Sequence, residues 1–184
     1  TLPALPETVQ RTREAMADPN SSVSDVTDII KLDPPVAAKI LGVANSAAYG
    51  FPHRIEDLTL AVSLLGLRET YSILLSVAVV DLFHVSKLFD YRAFWLDAMC
   101  CAAASRFVAK AASKRDRAGV FAAGLLHRVG QVALAEVAPE EYGQVGRNLT
   151  GAELIEAEER VIGIGHPEAG YELANHWGLP PEIA

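Results

Sequence analysis

The stretch Ala122–Gly130, AAGLLHRVG, places an imidazole at the end of an apolar, helix-forming run. A carboxylate next to His127 would give two ligands for a divalent metal, because a neutral ring nitrogen and a carboxylate oxygen both present lone pairs to such an ion. The neighbour is instead Arg128. Its guanidinium has donors only, cannot coordinate and repels a cation. Metal chemistry is therefore interrupted at the place where the sequence most resembles it.

Other routes to catalysis are weaker. Ser72, Ser76, Cys100 and Cys101 lie in apolar helical stretches without an identifiable base and orienting group, and no glycine-rich phosphate cradle precedes a helix. His53 in a loop and His84 at a connection lack ligand spacing and read as surface residues, whereas His176 ends a helix and Trp177 reads as a core or interface anchor. Asn45-Ser46 follows a helix in a turn-rich loop, where capping and packing are the default roles. Arg106, Lys110 and Lys114 recur at four-residue spacing, and Arg115 and Arg117 follow. This basic stripe is a solvated helix end whose cations suit the dipole; the competing reading is a site for an anion or an acidic partner.

The 184 residues carry a net charge of −7, which argues against a nonspecific hold on nucleic acid. A hydrophobic share of 51% suffices for one good core or two small ones. The longest apolar run, Ile73–Val80, is too short to cross a bilayer, and Thr1–Pro6 has no signal-peptide character. Neither a membrane span nor secretion is expected. Adjacent Cys100 and Cys101 on a helix disfavour a mutual disulfide, fit a reducing, cytoplasmic setting and are expected to pack in the core.

The elements that must hold these residues are helices throughout. Leu5–Ala17 is apolar at helical spacing and stops at Asp18-Pro19-Asn20; Ser22 and Asp25 form a capping box opening Val23–Lys31. Asp33 before Pro34 opens Pro34–Ala44, and Leu58–Leu65 ends at Gly66 before the strongly apolar Leu67–Phe83. After the connection His84–Phe89, Tyr91–Ala112 is a long helix to which Phe94, Trp95, Met99 and Phe107 lend apolar surface. Arg117–Val137 gives one long or two short helices around Gly130, and Pro139–Asn148 a weaker one. Thr150 with Glu153 is a second capping box, opening a helix to about Val161, and Pro167–His176 is closed by Gly178. No stretch shows convincing strand alternation.

Taken in order, Leu2-Pro-Ala-Leu-Pro6, Asp33-Pro34, Lys39-Ile-Leu-Gly-Val-Ala-Asn-Ser46, Tyr49-Gly50, Ile55 and Ala61-Val-Ser-Leu-Leu-Gly66 resemble the N-terminal half of an HDOD domain. That is the HD-related output domain of bacterial signalling proteins. Phe94-Trp95, Ala123-Gly-Leu-Leu-His127, Gly165-His-Pro-Glu-Ala-Gly170 and Trp177-Gly-Leu-Pro180 extend the resemblance over nearly the whole chain.

The resemblance implies an all-α fold of two packed helical subdomains, residues 1–83 and 90–184 joined by 84–89. The second resembles a degenerate HD-phosphohydrolase core, cut short at its C-terminal end. In HD enzymes a histidine is expected two residues after a tryptophan like Trp95, where this chain has Asp97; the His-Asp pair becomes His127-Arg128; the later histidine is matched by His166. A further histidine pair would fall beyond Ala184. Asp97, His127 and His166 could form a metal set, but Arg128 beside them favours a vestigial site with Asp97 paired to Arg128, no metal and no cofactor. The expectation is a non-catalytic signalling output or scaffold domain, with signalling proteins, fused signalling domains or a nucleotide-like ligand as partners. The alternative is a metal-dependent phosphohydrolase acting on phosphate esters or cyclic dinucleotides.

Overall fold

The computed structural model describes residues 3–47, 49–83, 90–112, 119–146, 149–179 and 183. Among these the chain forms only helices: α1 (Glu7–Ala17), α2 (Val23–Lys31), α3 (Pro34–Ala44), α4 (Leu58–Leu65), α5 (Leu67–Leu82), α6 (Tyr91–Ala111), α7 (Val120–Leu126), α8 (Val129–Val137), α9 (Pro139–Tyr142), α10 (Gly151–Ile162) and α11 (His166–His176). The all-α expectation holds. The connection His84–Phe89 lies outside the described residues.

Local chemistry sets most boundaries. The Ser22–Asp25 box is reciprocal: the Asp25 amide donates to Ser22 Oγ at 3.3 Å and the Ser22 amide to Asp25 Oδ2 at 2.8 Å. The Ser22 hydroxyl, 2.7 Å from Asp25 Oδ2, and then the Ser22 amide favour the ionised carboxylate and lower its pKa. Asp33 Oδ1 accepts the Val36 amide at 3.2 Å over a first turn that starts with Pro34. Gly66, at φ +82°, takes a left-handed turn that a side chain would resist, and α5 leaves α4 there at 111°.

Three expectations need correction. Thr150 caps nothing with its side chain, because Gly151 enters α10 at φ +56° and carries the hydroxyl away from the third amide. The break before α8 falls at His127–Arg128, where Arg128 has φ −120° and ψ 14°, not at Gly130, which lies inside α8. The weak helix after Pro139 ends at Tyr142, since Gly143 and Gly146 give a further turn little to pack with.

One apolar cluster runs through both parts of the chain. Val9, Val26, Ile30, Ile40, Leu74, Val79 and Phe83 from the first part meet Phe94, Val129, Val132, Leu173 and Trp177 from the second. Trp177 is the tie. Its Nε1 donates to the Pro3 carbonyl at 2.9 Å, its ring lies 6.2 Å from that of Phe83, and Arg13 Nη1 donates to its carbonyl at 2.6 Å. The anchor reading of Trp177 is thus the observed one. A satellite cluster of Leu134, Tyr142, Leu154 and Ala157 links α8 to α10 through α9.

The outer face of α6 departs from expectation. Phe94 is buried, but Leu96, Met99 and Phe107 are exposed, Phe107 by 73%. Cys100 is exposed and Cys101 half-buried, so the cysteines do not both pack in the core; position 100 falls on the solvent side of a helix whose inner face is Phe94, Ala98, Ala102 and Ala109. No single helix among the described residues is long and apolar enough to cross a membrane.

Candidate functional site

Two close helix contacts assemble the site. A Cβ on Gly124 of α7 would lie 2.7 Å from Ala102 Cα, so α7 seats directly on α6 and brings the 127–128 break over Asp97. A Cβ on Gly130 would lie 1.9 Å from the His166 carbonyl oxygen, so α8 sits equally tightly on the start of α11. The first contact sets Arg128 beside Asp97, and the second sets the His166 backbone against α8.

Arg128 Nη1 donates to Asp97 Oδ2 at 2.9 Å, the ion pair expected from the two sign-changing substitutions. Nη2 donates to Gln131 Oε1 at 3.0 Å, and the guanidinium stands 5.6 Å from the Phe94 ring centroid. The pair is superficial: the Arg128 side chain is 33% exposed and that of Asp97 62%.

His166 is turned inward. Glu158 Oε2 accepts its amide at 2.8 Å and its Nδ1–H at 2.6 Å, while Glu158 Oε1 accepts the Tyr142 hydroxyl at 3.1 Å. Glu158 is fully buried. Burial, and then the charge and hydrogen bond of Glu158, raise the Tyr142 pKa, with Arg128 opposing. His127 is exposed at the edge of a groove, because the turn at the helix break swings its ring outward. Its Nδ1 donates to the Gly124 carbonyl at 2.8 Å, so in the neutral ring the Nε2 lone pair faces away. Beside it lies a small groove of about 70 Å³ lined by Leu126, Val129, Pro167, Ala174 and Trp177.

The donor set does not fit a divalent cation. Asp97 is engaged by a guanidinium, His166 by a buried carboxylate, and a cation would have to sit against Arg128. Among the described residues no three His, Cys, Asp or Glu side chains group as a metal site.

Two residues of the basic stripe, Arg106 and Lys110, lie among the described residues and differ in setting. Arg106 turns inward: Nη1 donates to Glu69 Oε1 at 3.1 Å and the guanidinium carbon lies 3.6 Å from the Tyr49 ring centroid. The reason is the pull of Glu69, whose carboxylate also accepts the Tyr49 hydroxyl at 2.6 Å. Lys110 is exposed on α6, and Lys114, Arg115 and Arg117 lie outside the described residues. Asn45 does clamp backbone: Nδ2 donates to the Leu41 and Ile55 carbonyls and Oδ1 accepts the Ile55 amide, each at 2.8 Å.

Glu158 and Gln131 escaped the sequence reading. Leu154, Ala157 and Val161 mark the inner face of α10, and position 158 lies on it, four residues after Leu154. A carboxylate on an apolar face was the available signal. Gln131 carried the same signal, as an isolated amide in the apolar run VGQVALA.

The all-helical architecture is that of HD-like folds. The chain belongs to the HDOD domain family, whose model matches residues 2–184. It is similar to an HDOD domain protein of unknown function from Geobacter sulfurreducens (29% identity, TM-score 0.79, 98% of this chain and 61% of that one). It also resembles a protein from Shewanella amazonensis SB2B provisionally named a phosphohydrolase (26%, TM-score 0.80, 99% and 65%). A third likeness is to the MmoQ response regulator of Methylococcus capsulatus (28%, TM-score 0.50, 98% and 72%). The chain spans 36% of the length of the curated relative it matches.

Proposed function

We propose that this chain is a non-catalytic output or scaffold domain of a bacterial regulatory pathway, which works by binding signalling proteins, fused signalling domains or a nucleotide-like ligand in the cytoplasm. The Asp97–Arg128 ion pair carries this reading: a fixed positive charge and its counter-charge stand where metal chemistry would need two free ligands. The likeness to a response regulator supports it. Neither nucleic acid nor a membrane is a proposed partner, given the net charge of −7.

The second reading, a metal-dependent phosphohydrolase acting on phosphate esters or cyclic dinucleotides, draws on the provisional name of the Shewanella protein. One experiment separates the two. Protein purified without chelator is analysed for Mn, Fe, Zn and Ni and assayed on phosphate monoesters and cyclic dinucleotides. The output-domain reading expects neither stoichiometric metal nor turnover. Bound metal with turnover that is lost in His127→Ala makes the chain an enzyme.

A further inference from the structure

Gln131 is 2% exposed, and its Nε2 has no hydrogen-bond partner among the described residues. The orientation of the amide is fixed, because Arg128 Nη2 is a donor and holds Oε1 toward itself. The orphan N–H group therefore lies beside the guanidinium. A buried donor without a partner is costly and rare, so one kept next to a cation calls for an acceptor. Asp97 meets only part of that call, through one bond from Arg128 Nη1.

We infer that Arg128 and Gln131 form a binding site for the phosphate group of a small molecule, with the Asp97 carboxylate as the resident anion that the ligand displaces. A phosphate group has three strong acceptor oxygens and a charge of about −1.5 to −2 at neutral pH. Two oxygens match the guanidinium fork and the third the Gln131 amide, whereas a planar carboxylate has no third oxygen to give. Arg128 is the N-cap residue of α8, which has no side-chain cap and whose dipole favours an anion. Entry requires that the Asp97 side chain, already 62% exposed, rotate away and that the buried Gln131 amide be uncovered as the phosphate seats. The inference rests on the output-domain reading in needing a metal-free Arg128, and it specifies the ligand chemistry of that reading.

The test is titration of the isotope-labelled protein with inorganic phosphate, followed by amide shifts of residues 128–131, with acetate at equal ionic strength as control. Phosphate is expected to shift these amides saturably and acetate to leave them unmoved. Asp97→Asn removes the competing carboxylate and should tighten phosphate binding by up to about fivefold. Arg128→Leu should weaken it by roughly tenfold or more. Gln131→Met should weaken binding while leaving the fold as stable or more so, since it deletes an unsatisfied donor; a merely structural glutamine would show the reverse. No saturable shift in Asp97→Asn, an exposed and mild change, overturns the inference, as does equal binding of acetate or undiminished binding in Arg128→Leu. Those results would leave the output-domain reading standing, which falls only to metal-dependent turnover.

Discussion

The same substitution, glycine to alanine, should have opposite effects at two helical positions. In α3, a Cβ on Gly42 meets nothing within 4 Å. Alanine there gains helix propensity of about 1 kcal/mol and adds roughly 2–4 °C to the melting temperature of a domain this size. In α8, a Cβ on Gly130 falls 1.9 Å from the His166 carbonyl oxygen and 2.6 Å from the Gly170 amide nitrogen, both backbone atoms that cannot swing aside. The two helices must part by about 1 Å, and a gap of that size forfeits a quarter to a half of each facing dispersion contact. Overpacking of this kind costs about 3 kcal/mol, so the propensity gain leaves a net loss of roughly 2 kcal/mol. The difference between the two variants is then about 3 kcal/mol. Urea denaturation followed by circular dichroism reads it directly. A Gly130→Ala protein within 0.5 kcal/mol of Gly42→Ala would refute the claim that the α8–α11 contact is backbone-limited.

Asp97→Ala should cost only about 0–1 kcal/mol in thermal or chemical denaturation, because the ion pair it breaks is largely exposed. Asn45→Ala removes three backbone clamps at once and strands the buried Ile55 amide; a loss of about 1–3 kcal/mol is expected by the same assay. Tyr49, Tyr71 and Tyr142 have raised pKa values, with burial as the first cause in each, so these three of the five tyrosines should resist ionisation. The unfolded chain releases those protons near pH 10 and the folded one later, so their stabilisation is complete below pH 10 and is lost as the pH rises above it. Absorbance titration at alkaline pH should show these three tyrosines ionising only as the protein unfolds; ionisation of all five near pH 10 with the fold intact contradicts it. Residues 1–83 and 90–184 expressed apart should fold poorly, because Phe83 and Trp177 lie in one cluster; two independent cooperative transitions would speak against a shared seam.

Helix order and most boundaries were legible because they depend on local chemistry. Proline after Asp33, the Ser22 box and Gly66 act within a turn of their own position. The Asp97–Arg128 pair was legible for another reason, as two departures of opposite sign from one pattern. What stayed hidden depends on distant partners. Nothing near Arg106 in sequence announces Glu69, 37 residues earlier, and an arginine at stripe spacing reads as solvated until that carboxylate turns it inward. Thr150 shows that a capping pattern also needs a right-handed first residue, which Gly151 withholds. Cys100 was misplaced because a helix face can be assigned only when its covering elements are known.

The tie between Trp177 and the segment Pro3–Arg13 has a consequence for how the protein is made. Its partners lie 164 and 174 residues apart in the chain. At a synthesis rate of about 5–20 residues per second, α1 leaves the ribosome on the order of 10–35 seconds before the residue that covers it. During that interval Leu5 and Val9, buried in the finished protein, have only part of their final surroundings. Closing so long a loop is entropically demanding, and its reward comes only when α11 arrives. Until α11 is made, the apolar face of α1 lacks its final cover, and the arrival of that helix ends the exposure.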